Sequence, residues 1–192
     1  GPDTYTLTGA GPDIFVSKLD ADGGLIWARL LGGPNGEQGN GIAVDANDRV
    51  YVTGWFRTGC NFDPGGSDTT LTTENGADAF VLRLNADGTF GWVFQHGGTT
   101  FSADEGYGVA VDDQGLVYIT GQVLGTADMD PGPGTFLLST GSTNAVFVQC
   151  VDSDAAFQWA FKVSAGAFAY NVGRSIRSDA QGHLRIAGSF EG

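Results

Sequence analysis

The chain has 192 residues, of which 41% are hydrophobic, 32 are glycine and 16% are charged. That is enough apolar matter for a real core, in one domain or an array of small units, and the 13 Phe, 4 Trp and 5 Tyr exclude a disordered chain, which is poor in aromatics. A formal charge of −13 with only nine Lys and Arg excludes nucleic acid and anionic membrane surfaces as partners, since both are held through cationic side chains.

The first predicted element is a hairpin over 14–32, in which DIFVSKLDADGGLIWA turns at Asp20, Asp22 and Gly23 and runs into the turn LLGG at 30–33. GNGIAVDANDRVYVTG at 39–54 predicts a second hairpin, with IAVD and VYVTG as its strands. A long loop, GWFRTGCNFDPGGSDTTLTTENGA, follows and contains a short strand-like TLTT. DAFVLRLNADGTFGWV from Asp78 is again a hairpin, turning at Asn85, Asp87 and Gly88. Phe80, Leu82 and Leu84 line one face of its first strand while Ala79 and Val81 line the other. A strand apolar on both faces belongs in a sheet packed between two others. The order then repeats: GYGVAVDDQGLVYITG at 106–121, the loop LGTADMDPGPGTFLLSTGSTN, NAVFVQCVDSDAAFQWA from Asn144, and GRSIRSDAQGHLRIAG at 173–188.

Asp45, Asp112 and Asp179 are 67 residues apart, as are Gly54, Gly121 and Gly188, and Trp27, Trp92 and Trp159 keep the same phase. A fixed period of this kind identifies a repeat architecture. Each unit holds two hairpins and so four strands. Four-stranded sheets stacked face to face at a fixed period are propeller blades. The expected fold is therefore all-β: β-propeller blades, three repeats of a four-stranded antiparallel sheet, with units at about 1–33 plus 173–192, 39–98 and 106–164. Gly1 stands opposite Gly66 in the repeat and Gly192 opposite Thr58, so one blade is split between the termini. Three blades are fewer than the four or more that close a propeller. The others are expected from a second chain, making a six-bladed ring, or from a longer parent polypeptide. In the last unit Arg177 and Ser178 replace the Ala and Val of IAVD, which weakens the strand signal there.

These words resemble the bacterial β-propeller repeats known as SBBP repeats, through DAFVLRLNADG, LLGG, GNGIAVDANDRVYVTG and NFDPGGSD. The resemblance covers nearly the whole chain. It implies a secreted or cell-surface bacterial protein and carries no catalytic residues with it.

Candidate chemistry is sparse. Asn61, Asp63, Pro64 and Gly65 return as Asp128, Asp130, Pro131 and Gly132. Oxygen-bearing residues two apart before Pro-Gly would offer Ca²⁺ part of its six to eight ligands, and Asp63, Asp128 and Asp130 are the metal candidates. A carboxylate accepting backbone N–H bonds in an Asx-turn explains the same recurrence without an ion. The Asp and Gly groups at 20–23 and 85–88 lack the third carboxylate and downstream Glu of a calcium loop, and positive-φ hairpin turns account for them. Recurrence at one strand position makes the tryptophans packing residues before sugar platforms. His96 and His183 do not recur, Cys60 and Cys150 show neither a disulfide framework nor metal spacing, and no Ser or Cys stands in a nucleophile elbow. The expected function is a non-enzymatic extracellular binding or structural scaffold for a protein or carbohydrate partner, with no cofactor except possible room for Ca²⁺. The alternatives are a propeller enzyme acting on polysaccharide, as lyase or hydrolase, and a calcium-stabilised surface array.

Overall fold

A computed structural model describes residues 5–9, 11–73, 76–98, 102–164 and 170–191. Every regular element among them is a strand. The first hairpin is β1 (Ile14–Leu19) with β2 (Leu25–Leu31). Next come β3 (Glu37–Val44), β4 (Val50–Phe56), the short pair β5 (Cys60–Asn61) and β6 (Thr70–Leu71), β7 (Gly76–Leu84) and β8 (Phe90–His96). β3, β4, β7 and β8 lie side by side in that order, and β9 (Ser102–Ala103) runs parallel to β7. The next sheet orders β10 (Glu105–Val111), β11 (Val117–Asp128), β12 (Leu137–Val151) and β13 (Phe157–Val163). The last hairpin is β14 (Val172–Ser178) with β15 (Leu184–Ser189). Arg177 and Ser178 keep β14 as a strand, paired with Arg185 and Leu184.

The two complete sheets are antiparallel propeller blades. They superpose in register: Gly54 faces Phe80 in the first and Gly121 faces Phe147 in the second. That register puts Ala145, not Asn144, in the place held by Asp78. The terminal hairpins are the remaining halves of the same pattern. β1 and β2 correspond to the outer strands β7 and β8, while β14 and β15 correspond to the inner strands β10 and β11. They do not pair with one another in this chain.

Turn chemistry explains why the hairpins form where they do. In the inner hairpins Asp45 accepts backbone N–H bonds from Asn47 and Arg49, Asp112 from Gln114 and Leu116, and Asp179 from Gln181 and His183. Each Asp closes its turn through one carboxylate oxygen. The other oxygen takes the Tyr51 or Tyr118 hydroxyl, or the Arg185 guanidinium in the last unit. In the outer hairpins Gly23 and Gly88 take φ of 84° and 78°, where a side chain would be strained.

The core lies in the seams between sheets, which is why both faces of the central strands are apolar. One seam joins Ile14, Val16 and Leu31 to Val52, Phe56, Phe62, Phe80 and Leu82. The next joins Tyr51, Val81 and Phe94 to Ile119, Met129 and Phe147. A smaller one sets Ile176 against Tyr118, Val146 and Val148. At the position where Gly54 and Gly121 sit, an added Cβ would fall on the carbonyl oxygen of the neighbouring inner strand and within 2.9 or 2.7 Å of the Phe80 or Phe147 ring. Only glycine leaves room for that ring.

Candidate functional site

The loops joining the inner and outer hairpin of each blade carry the candidate metal residues. In the first, Asn61 Oδ1 accepts from the Asp63 amide at 3.0 Å and from the Thr69 hydroxyl at 3.1 Å. Asp63 accepts from the Gly65 amide at 2.7 Å and from the Ser67 amide at 3.2 Å, one on each oxygen. In the second, Asp128 Oδ1 takes the amides of Asp130 at 3.0 Å and Phe136 at 2.8 Å, and Asp130 Oδ1 takes that of Gly132 at 2.8 Å. The two loops use the same polar scaffold. Phe62 and Met129, the residues between the paired oxygens, are fully buried and pin each loop to its seam. Asp128 and Asp130 share one loop, whereas Asp63 belongs to the other blade. Among the described residues no three His, Cys, Asp or Glu side chains converge on a common ion position. The carboxylates work as backbone acceptors in these loops.

Among the concavities that border the first loop are two of note. One of about 280 Å³ is lined by Asp13, Leu30, Gly32, Asn61, Asp63 and Pro64, where the Asn61 amide donates to the Gly32 carbonyl at 3.1 Å. The other, an open groove of about 600 Å³, runs between Thr70, Leu71 and Thr72 on one side and Phe90, Trp92 and Val93 on the other. A groove with aromatic and hydroxyl walls suits a ligand that has an apolar face and hydrogen-bonding edges.

The tryptophans brace one blade against the next. The Trp27 indole donates to the Ala86 carbonyl at 3.1 Å, and the Trp92 indole to the Ser153 carbonyl at 3.0 Å, both in the outer hairpin turn of the following sheet. Arg29 adds two bonds to the carbonyls of Gly88 and Asp87, and Arg83 one to Ser153.

His96 is buried across a seam. Nδ1 faces the Asp128 carbonyl oxygen at 2.9 Å and Nε2 faces Gln149 Oε1 at 2.8 Å, while the Gln149 amide donates to the Met129 carbonyl at 2.7 Å. Burial holds its pKa below the ordinary histidine value. With both nitrogens engaged inside the protein it has no free position for a substrate. His183 is exposed and sits 3.3 Å from Asp179. Cys60 and Cys150 are free and fully buried, and burial pushes both thiols up, Cys150 to about 12.

One recurrent polar position escaped the sequence reading. Glu37, Asp104 and Asn171 are 67 residues apart and all buried, each at or just before the start of an inner strand. Asp104 accepts from the Gly98 and Leu124 amides, and Asn171 accepts from the Glu191 amide and donates to the Asn144 carbonyl. Burial lifts the Asp104 carboxyl to about 6 despite those donors. Neither Glu37 oxygen has a well-formed hydrogen bond. Burial lifts its carboxyl to about 7, offset only in part by the Gly33 amide. The 67-residue spacing was the signal that could have found them, but the residue type changes at every copy.

Comparison with known proteins agrees with this architecture. Residues 26–55 match the β-propeller repeat family SBBP. Regulatory protein FlaEY of Caulobacter vibrioides is 30% identical over 126 residues, spanning 64% of this chain and 13% of that protein. WD repeat-containing protein L264 of Acanthamoeba polyphaga mimivirus is 24% identical over 123 residues, spanning 57% of this chain and 9% of its own. The chain thus corresponds to a small part of either relative.

Proposed function

We propose that this β-propeller repeat scaffold is a non-enzymatic binding module of a secreted or cell-surface protein, and that its partner, a carbohydrate or an extended peptide, seats in the groove beside the inner-to-outer loop of the first blade. The observation that carries this reading is the groove itself, with Phe90 and Trp92 facing the hydroxyl-bearing strand Thr70–Leu71. Supporting it, the carboxylates that recur with the repeat are occupied by backbone donors. A residue committed to turn geometry is poorly placed to transfer protons. The word regulatory in the name of FlaEY is in keeping with action through binding.

The reading is tested by titrating neutral and acidic oligosaccharides and a peptide panel while following the Trp92 indole proton by NMR. Saturable perturbation of Trp92 that disappears in Leu71→Arg is expected. Perturbation confined to other surfaces would remove the groove from the account, and a repurified chain that turns over a polysaccharide or ester would contradict its non-enzymatic character.

A further inference from the structure

The groove beside β8 has a counterpart in the second blade, and there the chain itself fills it. Thr69 and Phe136 are 67 residues apart and hold the same place, immediately before β6 and β12. Each sends its amide to the paired oxygen side chain of its loop, Asn61 Oδ1 at 3.4 Å or Asp128 Oδ1 at 2.8 Å. Each accepts an amide on its carbonyl, from Phe62 at 3.4 Å or from Met129 at 2.9 Å. Phe90 and Phe157 are also 67 apart and open β8 and β13, where they pair with Leu84 and Val151. One tie recurs across both spaces, from Gln95 to the Thr72 carbonyl and from Lys162 to the Ser139 carbonyl. The frame is therefore the same in the two blades.

What differs is the side chain inside the frame. In the second blade the Phe136 ring lies over the Phe157 ring, with centroids 5.0 Å apart and planes at 37°, a tilted arrangement of the kind aromatic pairs prefer. In the first blade a threonine stands in place of that phenylalanine, and Thr69 and Phe90 both line the open groove of about 600 Å³. The preceding residue changes too, with Asp68 where the second blade has Thr135. Asp68 is exposed and lines the same groove. Hydrogen bonds from the Thr70 hydroxyl and amide hold its carboxyl below the usual range, so it is charged at any physiological pH. Relative to the second blade, the first has exchanged a built-in ring for a space and a negative charge.

Resting on the reading of this groove as a binding site, we propose that its ligand is an extended peptide whose aromatic side chain stacks on Phe90, in the place Phe136 takes over Phe157, with a neighbouring basic side chain paired to Asp68. A peptide is the occupant because the group that fills the equivalent space is itself a phenylalanine, carried on the segment that runs into β12. A basic flank follows from charge complementarity. Asp68 stands on the groove wall of a chain with net charge −13, which attracts cationic ligands and repels acidic ones.

The test titrates the whole 192-residue chain with acetyl-Arg-Phe-Arg-amide, following the Thr70 and Leu71 amides and the Trp92 indole proton by NMR. Saturable shifts at all three are expected. Acetyl-Arg-Ala-Arg-amide, which lacks the ring, should bind at least about tenfold more weakly. Asp68→Asn should weaken the phenylalanine peptide about threefold, at low salt only. Thr69→Phe supplies the ring from within and should abolish the shifts while the rest of the amide spectrum stays in place. The double variant Thr135→Asp with Phe136→Thr writes the first blade's two residues into the second, and should add a second binding equivalent reported by the Trp159 indole. Equal affinity for the alanine peptide, binding that survives Thr69→Phe, or no second equivalent in the double variant would each overturn the proposal. Shifts caused by cellotriose and not by the peptide would overturn it too, while leaving the groove reading in place. Silence of the groove resonances towards both probes would sink both readings.

Discussion

The two seams flanking the first complete blade are built on one plan and filled with opposite chemistry. In the first, Leu31 on β2 and Leu82 on β7 are fully buried in an apolar cluster with Phe56, Phe62 and Phe80. In the second, the same two repeat positions are His96 on β8 and Gln149 on β12, equally buried and hydrogen-bonded to each other. The backbone of the adjoining loop completes the polar version by presenting the Asp128 and Met129 carbonyls. The blade-stacking geometry therefore does not demand apolar residues. It demands that whatever is buried be either apolar or hydrogen-bonded, and the second seam answers with a three-part network in which the neutral imidazole donates through one nitrogen only.

The largest effect is expected from moving one half of the polar solution into the apolar seam. Leu31→His discards a buried leucine and strands an imidazole among phenylalanines, for a loss of about 3–5 kcal/mol, read from the midpoint of urea unfolding at constant slope. A smaller loss, about 1–3 kcal/mol, is expected for His96→Leu, which removes the single imidazole N–H that serves either the Asp128 carbonyl or Gln149 Oε1. Adding Gln149→Leu restores the leucine pair of the first seam. The double variant should then be more stable than the sum of the single losses by at least ~0.5 kcal/mol. Strict additivity would show that the two side chains are not coupled.

The buried histidine and the buried carboxyls should also respond to pH in opposite directions. His96 has a depressed pKa in the folded state, so the unfolded chain binds its proton first, and stability is lost as pH falls through the ordinary histidine value of ~6.5. Glu37 and Asp104 are raised to about 7 and about 6. The folded state holds those protons longer, so their effect is to make stability fall as pH rises from the unfolded carboxyl values of ~4 through the folded ones. Melting temperatures from pH 5 to 8 should show His96→Leu with Gln149→Leu flattening the acid side. Glu37→Gln should raise the melting temperature at pH 8 and leave it nearly unchanged at pH 4.5. A Glu37→Gln gain of equal size at both values would mean that its charge is not the cause.

The smallest predicted effect concerns the outer turns on either side of the second seam. Gly88 takes φ of 78° in the first blade, while its counterpart Ala155 is held at 66° in the second. An alanine there is strained by about 1 kcal/mol. Ala155→Gly should stabilise by roughly that amount. Gly88→Ala should cost more than Ala155→Gly gains, because its Cβ would also press on the Trp27 ring at 2.9 Å.

What could be read from the sequence follows the period. The hairpins, their Asp and Gly turns and the four-strand unit each recur at a fixed spacing, and their causes are local. The Asp63 and Asp130 turns were legible for the same reason, since an Asx-turn is made within a few residues. The His96 and Gln149 pair was not legible. Each occurs once, they are 53 residues apart, and only stacking of two sheets brings them together. Glu37, Asp104 and Asn171 lay between these cases, regular in position and irregular in chemistry. The groove at Phe90 and Trp92 was hidden too, because it depends on how a long loop folds back over β8.

The central claim is that each sheet is a blade completed by its neighbours, and amide hydrogen exchange resolved by strand tests it most directly. The amides of β8, the outermost strand of the first complete sheet and covered by the second, are predicted to exchange at least about tenfold more slowly than those of β13, the same strand of the second sheet, whose side chains are largely exposed. Equal exchange in β8 and β13 would contradict it.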